Sequence, residues 1–294
     1  MKFRGVMIDD YAMKEFMNIS NSLSKLSKEC VMRLTARKVY FIISTDDAGP
    51  KKPFVWCELP MSYYFKDFTF NGESEEFNEI YISFGTAMLA KSLMTLKYNG
   101  KSLKLKLTNK QTPCLTVDIE QKSENILSRQ CVHDIPVDVI TSDEWGDYSE
   151  PSYNDFHVSI QLPNLKTIKN IVERMKNIST NLIVSATESG KLILKVKTPM
   201  VSLSANFPNL SVESFAVGHI PTLSEMHNQN DTNNEDCQAV SAVIDVKKFL
   251  MFLTGLHISN CRTICSIVHG QMVKLHLEQP GVSSLQCFLS EITI

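Results

Sequence analysis

The chain has 294 residues, 43% of them apolar and 21% charged, which is the balance of a soluble globular protein. Its formal net charge of −2 argues against an open basic face that grips DNA by charge alone. The longest apolar runs fall short of the roughly 18 residues a membrane helix needs, and the opening Met1-Lys2-Phe3-Arg4 lacks the apolar core of a secretory signal.

The pattern opens with a strand over 3–8. Asp9 or Asp10 is placed to cap a helix running to about Lys28, with Met13, Phe16, Ile19, Leu23 and Leu26 on one face. Alternating runs predict strands at 30–35, 38–44, 54–59, 67–71 and 79–84, with a Gly/Pro turn at 46–53. A second helix follows over 86–98, and then a hairpin of Leu103–Leu107 and Leu115–Ile119. Residues 121–152 read as an acidic connector with a short extended segment at His133–Val137. The plan then repeats from about residue 156, interrupted by a polar stretch at 208–238 expected to be a long mobile loop.

The repeat is specific in its order. Met13, Phe16, Ile19, Leu23 and Leu26 correspond to Leu165, Ile168, Ile171, Met175 and Ile178; Leu89, Leu93 and Leu96 correspond to Val246, Leu250 and Leu253. Helix, strands, helix, hairpin, twice, marks a duplicated unit. The expected fold class is therefore α+β, with two similar domains (1–120 and 153–294) joined by 121–152, and two helices packed on antiparallel sheet in each.

The helices share a second property. Lys14, Asn18, Asn21, Lys25 and Lys28 are spaced four, three, four and three, one stripe along the first helix. The second helix carries Lys91 and Lys97 with Lys101 just after it, the third Lys166, Lys169, Arg174 and Lys176, and the fourth Lys247 and Lys248. Acidic residues gather instead in loops, at Glu73, Glu75, Glu76 and Glu79 and in the connector. Two readings stay open: solvated outer faces of surface helices, or a basic surface aimed at a polyanion, where lysine without an arginine fork suits phosphate more than base edges.

Catalytic and metal motifs are missing. No Gly-rich phosphate loop, G-x-S-x-G, H-E-x-x-H or C-x-x-C occurs among the residues, so no cofactor or metal is expected. Asp231–Asp236 fails as a calcium loop for want of Gly at its sixth position, and His133-Asp134 reads as an ordinary pair rather than an acid–base couple. The eight cysteines sit mostly in strand patterns, as buried thiols of a reducing compartment do, so the four Asn-x-Ser/Thr matches at Asn18, Asn177, Asn209 and Asn230 are dismissed.

Met1-Lys2-Phe3-Arg4, Val55–Leu59, Leu103–Lys110, Pro113–Val117, His133–Val137 and Val172–Ser179 together give a resemblance nearly end to end. The chain resembles the DNA sliding-clamp (processivity-factor) fold, and within it the Hus subunit family of the heterotrimeric DNA-damage checkpoint clamp, the nine-one-one complex. The resemblance implies a nuclear, non-catalytic subunit of a ring around double-stranded DNA, with two sister subunits, a clamp loader and repair enzymes as partners and no membrane. Helices would line the hole, making Lys14, Lys25, Lys28, Lys91, Lys97, Lys101, Lys166, Lys169, Lys176, Lys247 and Lys248 the DNA-facing candidates. The connector would lie near the groove where clamps take partner peptides, although Ser142–Asp147 is more acidic than the family pattern. Ring closure would need exposed strand edges. The candidate is the last strand before the connector, Cys114, Leu115, Thr116, Val117, Asp118, Ile119 and Glu120. Alternatives are a homotrimeric replicative processivity clamp, a duplicated enzyme with an unfamiliar motif, and a plain adaptor.

Overall fold

A computed structural model describes residues 1–44, 53–97, 99–122, 129–151, 153, 155–216, 239–255 and 261–292. The chain forms two compact units, the first chiefly Met1–Pro151, the second chiefly Ser152–Thr254 with Arg262–Glu278 and Gln286–Ile294.

In the first unit, β1 (Lys2–Met7) leads into α1 (Asp10–Leu26), β2 (Glu29–Leu34), β3 (Lys38–Ser44), β4 (Pro53–Pro60) and a single turn of helix, α2 (Met61–Tyr64). Then come β5 (Asp67–Asn71), β6 (Ile80–Gly85), α3 (Thr86–Leu93) with a 3-10 turn at Met94–Lys97, β7 (Gly100–Asn109), β8 (Pro113–Gln121), β9 (Arg129–Pro136), β10 (Asp138–Ile140) and a 3-10 turn at Ser142–Tyr148. The second unit holds β11 (Val158–Gln161), α4 (Leu165–Met175), β12 (Asn181–Ala186), β13 (Leu192–Lys197), β14 (Ser202–Phe207), β15 (Val212–Phe215), β16 (Val240–Asp245), α5 (Val246–Gly255), β17 (Arg262–Val268), β18 (Met272–Gln279) and β19 (Ser283–Ser290).

Strand order shows the duplication more firmly than any side-chain match. The run β5-β1-β7-β8-β9 recurs as β15-β11-β17-β18-β19, and β6-β2-β3-β4 recurs as β16-β12-β13-β14. All the pairings described within these runs are antiparallel. Each unit can therefore bury one sheet face under its helices and leave the other for polar side chains.

The helices form where the apolar period is 3.6 and the ends are capped. Asp9 accepts hydrogen bonds from the amides of Tyr11 and Ala12 (2.9 and 2.8 Å), and α1 turns Ala12, Met13, Phe16, Met17, Ile19, Leu23 and Leu26 inward. The Phe16 ring meets Phe41 of β3 at 5.9 Å and Tyr64 of α2 at 6.0 Å, and Phe41 meets Phe84 of β6 at 6.4 Å, so one aromatic row fixes helix to sheet. The buried hydroxyls of Ser20 and Ser92 donate to the carbonyls one turn back, Phe16 and Met88 (2.8 and 2.9 Å), which leaves them satisfied. Asp9→Ala is expected to lower the stability of the first unit by about 1 kcal/mol, read by chemical denaturation, because two amides at the start of α1 lose their acceptor.

Three expectations need correction. Cys114, Leu115, Thr116, Val117, Asp118, Ile119 and Glu120 are not an edge: β8 is paired along its length with β7 on one side and β9 on the other. Residues 129–136 and 138–140, expected in the connector, are strands β9 and β10 of the first unit, β9 paired with β8 and β10 with β6. Residues 212–215, expected in a mobile loop, form β15 against β11, where Val212 and Phe215 are half-buried. Of the expected loop, 217–238 lies outside the described residues, as does all of the expected 46–53 turn but Pro53, which starts β4.

Candidate nucleic-acid interface

Helices α1 and α3 pack side by side and run antiparallel. Thr86, the first residue of α3, donates its hydroxyl to the Ser27 and Lys28 carbonyls (2.5 and 3.1 Å), while the Met94–Lys97 turn packs on α1 beyond the end of α3. The helix face opposite the core carries Lys14, Lys25 and Lys28 from the first helical segment and Lys91 and Lys97 from the second, all exposed. In the other unit Lys166, Arg174 and Lys176 are exposed on and just after α4, and Lys247 is exposed on α5 beside the half-buried Lys248. Asn164 caps α4 through the Lys166 amide (2.9 Å), and Asp245 caps α5 through the Lys247 and Lys248 amides (2.6 and 3.1 Å). The same local rule thus presents basic residues in each half: a capped amphipathic helix whose apolar stripe goes to the sheet.

The two classes of lysine differ in their neighbours. On and beside the first unit's sheets several cations are paired: Lys104 with Asp118 (3.5 Å), Lys110 with Asp134 (2.5 Å), Lys38 with Glu58 (2.5 Å) and Arg33 with Glu79 (2.7 Å). The Asp134 carboxyl is held below the usual carboxylate range, first by the Lys110 hydrogen bond and then by that of Thr116. On the helices Lys14, Lys28, Lys91, Lys97, Lys166, Lys176 and Lys247 form no ion pair among the described residues. A sheet lysine beside its carboxylate adds little field at a distance, whereas an unpaired helix lysine keeps its full charge for a polyanion.

Four candidates depart from this pattern: Lys25 and Lys248 each engage another group, and Lys101 and Lys169 each meet a carboxylate. Lys101 lies on β7, where its ammonium meets Glu120 at 2.7 Å, so it belongs to the neutralised sheet face. Lys169 stands 3.9 Å from Glu173 one turn on, a pair exposed enough to be worth only about 0.3–0.5 kcal/mol.

The strand edges carry the second feature of the site. Among the described residues β9 pairs with β8 on one side only, and its Arg129, Gln130, Val132 and Asp134 are exposed. Among the described residues β14 pairs with β13 on one side only; Ser202, Leu203, Ser204 and Asn206 are exposed, and no charged residue interrupts it. The turn before β14 presents Met200, 94% exposed. Edges left open in water usually carry charge or proline to discourage pairing, and β14 has neither. The outer edge of β16 is handled differently. His269 Nδ1 and Glu291 Oε1 accept from the Ser241 and Val243 amides (3.1 and 3.2 Å), and Gly270 and Ile292 amides donate to the carbonyls of the same two residues (both 2.9 Å). Sequence reasoning placed an extended segment at His133–Val137 but not the first half of β9, although Cys131, His133 and Ile135 alternate with Gln130, Val132 and Asp134 as a half-buried strand does.

Among the described residues there is no cluster of three or more metal-binding side chains and no helix long and apolar enough to cross a membrane.

Solved structures with the same architecture are sliding clamps. PCNA from Thermococcus kodakaraensis superposes with a TM-score of 0.64 over 98% of this chain and 99% of that one, at 15% identity. Proliferating Cellular Nuclear Antigen from Entamoeba histolytica gives 0.68 over 99% of both, at 13% identity. By sequence, the chain is 39% identical over 293 residues to human "Checkpoint protein HUS1", covering all of both chains. It is 32% identical over 216 residues to the Drosophila melanogaster "Checkpoint protein Hus1-like", covering 73% of this chain and 78% of that one. The family model described as "Hus1-like protein" matches residues 1–293. A duplicated sliding-clamp fold with unpaired lysines on its helices thus belongs to the Hus1-like family.

Proposed function

We propose that the chain is a non-catalytic, nuclear subunit of a three-membered checkpoint clamp that closes around duplex DNA at damage and recruits repair and signalling proteins after a clamp loader places it there. The observation that carries this reading is the set of exposed lysines without an ion pair among the described residues, Lys14, Lys28, Lys91, Lys97, Lys166, Lys176 and Lys247, on or beside the helices of both units. A closed ring holds DNA by topology. A modest set of phosphate contacts then suffices, and sequence readout is unnecessary, so a net charge of −2 is no obstacle.

In such a ring β9 and β14 are the edges offered to the two neighbours. Main-chain pairing across each edge would bury Val132 on one side and Leu203 with Met200 on the other, all exposed in the single chain. A head-to-tail contact of this kind uses two different surfaces and closes only if the rotation per subunit fits. Because both edges lie in one chain, a ring of three identical copies is the competing reading.

The mass in solution decides between them. The chain alone is expected to be a monomer and, co-expressed with two sister clamp subunits, to form a one-to-one-to-one complex. A stable homotrimer would move the assignment to a replicative clamp, and failure to form any complex would overturn the ring.

A further inference from the structure

Thr141 stands between β10 and the Ser142–Tyr148 turn, on extended backbone (φ −75°, ψ 156°). It is exposed, and its hydroxyl makes no hydrogen bond among the described residues. Two and three positions on come Asp143 and Glu144, both exposed and without an ion pair among the described residues. The Glu144 amide donates to the Thr141 carbonyl (3.0 Å), which keeps both carboxylates within one turn of the hydroxyl. No lysine or arginine lies between Arg129 and Lys166, so this stretch of chain brings no cation of its own to neutralise them.

The turn is anchored by other groups. Trp145 stacks on the Tyr81 ring of β6 with ring centres 4.6 Å apart, its indole N–H donates to the Ile140 carbonyl (3.0 Å), and Tyr148 is 5% exposed. Thr141, Asp143, Glu144 and Asp147 take no part in that anchoring and face water.

A hydroxyl followed by acids at the second and third positions suits a kinase whose substrate groove is lined with lysine and arginine, because each carboxylate forms a charge-assisted bond there. Among the described serines and threonines two have this pattern: Ser44, followed by Asp46 and Asp47, and Thr141. The fold separates them. Ser44 ends β3 with its Oγ buried and without a partner, whereas Thr141 is open to water.

We propose that Thr141 is a phosphorylation site for an acid-directed serine/threonine kinase. Its Oγ1 attacks the γ-phosphorus of ATP, and the new O–P bond replaces the bond from that phosphorus to the oxygen bridging the β-phosphate. ADP leaves, and the hydroxyl proton passes to the carboxylate base of the kinase. The product adds a charge of about −1.5 to −2 at neutral pH to a turn that already holds Asp143, Glu144 and Asp147. The site belongs to the single chain and stands whether or not a ring forms.

The test incubates the full-length chain with magnesium ATP and a casein-type acid-directed kinase, and maps phosphate by peptide mass spectrometry. Phosphate is expected on Thr141 and not on Ser44. Thr141→Ala is expected to remove it. Asp143→Asn combined with Glu144→Gln is expected to slow incorporation at Thr141 by roughly tenfold or more, through the loss of two charge-assisted contacts in the kinase groove. All three side chains are exposed, so the variants are expected to keep the circular dichroism of the unaltered chain. Three results overturn the proposal: a folded chain that takes up no phosphate at Thr141, phosphate on Ser44 in its place, or incorporation at Thr141 that is indifferent to the loss of both carboxylates.

Discussion

Replacing Lys14, Lys28, Lys91 and Lys97 together by glutamate is expected to weaken binding to a short linear duplex by roughly a hundredfold at moderate salt. The slope of log affinity against log salt should fall by about four, close to one per phosphate contact removed. These four residues lie on the exposed side of α1, α3 and the segments that follow them, and none has an ion-pair partner among the described residues. Removing them strips charge from the surface without unpairing a carboxylate in the fold. The matching control is Lys104→Ala with Lys110→Ala, which frees Asp118 and Asp134 on the sheet. That variant should leave DNA affinity unchanged while costing some stability. Fluorescence anisotropy across a salt series reads both. Equal loss of affinity in the two variants would place the DNA surface elsewhere.

The second large effect is on stability. Phe16→Ala removes the ring that joins α1 to Phe41 of β3 and Tyr64 of α2, at a site 1% exposed to solvent. A buried Phe→Ala change costs about 3–5 kcal/mol, a large share of the 5–15 kcal/mol that holds a typical protein folded. Calorimetry should show the transition of the first unit lowered by about 10 °C. The corresponding residue of the repeat, Ile168, is 0% exposed, and Ile168→Ala should lower the transition of the second unit instead, by about 2–5 kcal/mol. If each change lowers one common transition by the same route, the two units unfold as a single cooperative block.

The helix faces were legible because the 3.6-residue period is written in single residues: Met13, Phe16, Ile19, Leu23 and Leu26 all turn inward, and Lys14, Lys25 and Lys28 all turn outward. The strands over 30–35, 38–44 and 67–71 were legible for the same reason at period two, and they match β2, β3 and β5 to within a residue. The β8 edge was misplaced because alternation states that a strand exists without stating how many neighbours it has. Leu115–Ile119 alternates in the same way whether one side of it is open or covered by β9. The acidity of 142–150 likewise hid an aromatic anchor, since Trp145 contacts Tyr81 across 64 positions of chain.

What the sequence determined by itself is local: element types, the duplication, the capped helices and the segregation of lysine onto them, each set by neighbours within a few positions. What only the tertiary structure decided is which strands are interior, which lysines are neutralised by a carboxylate far along the chain, and where the open edges lie. Lys101 shows the difference most plainly, reading as the end of a basic helix until the β7–β8 pairing brings Glu120 to 2.7 Å. Such contacts are set by the register of strands distant in sequence, and a local pattern holds no record of that register.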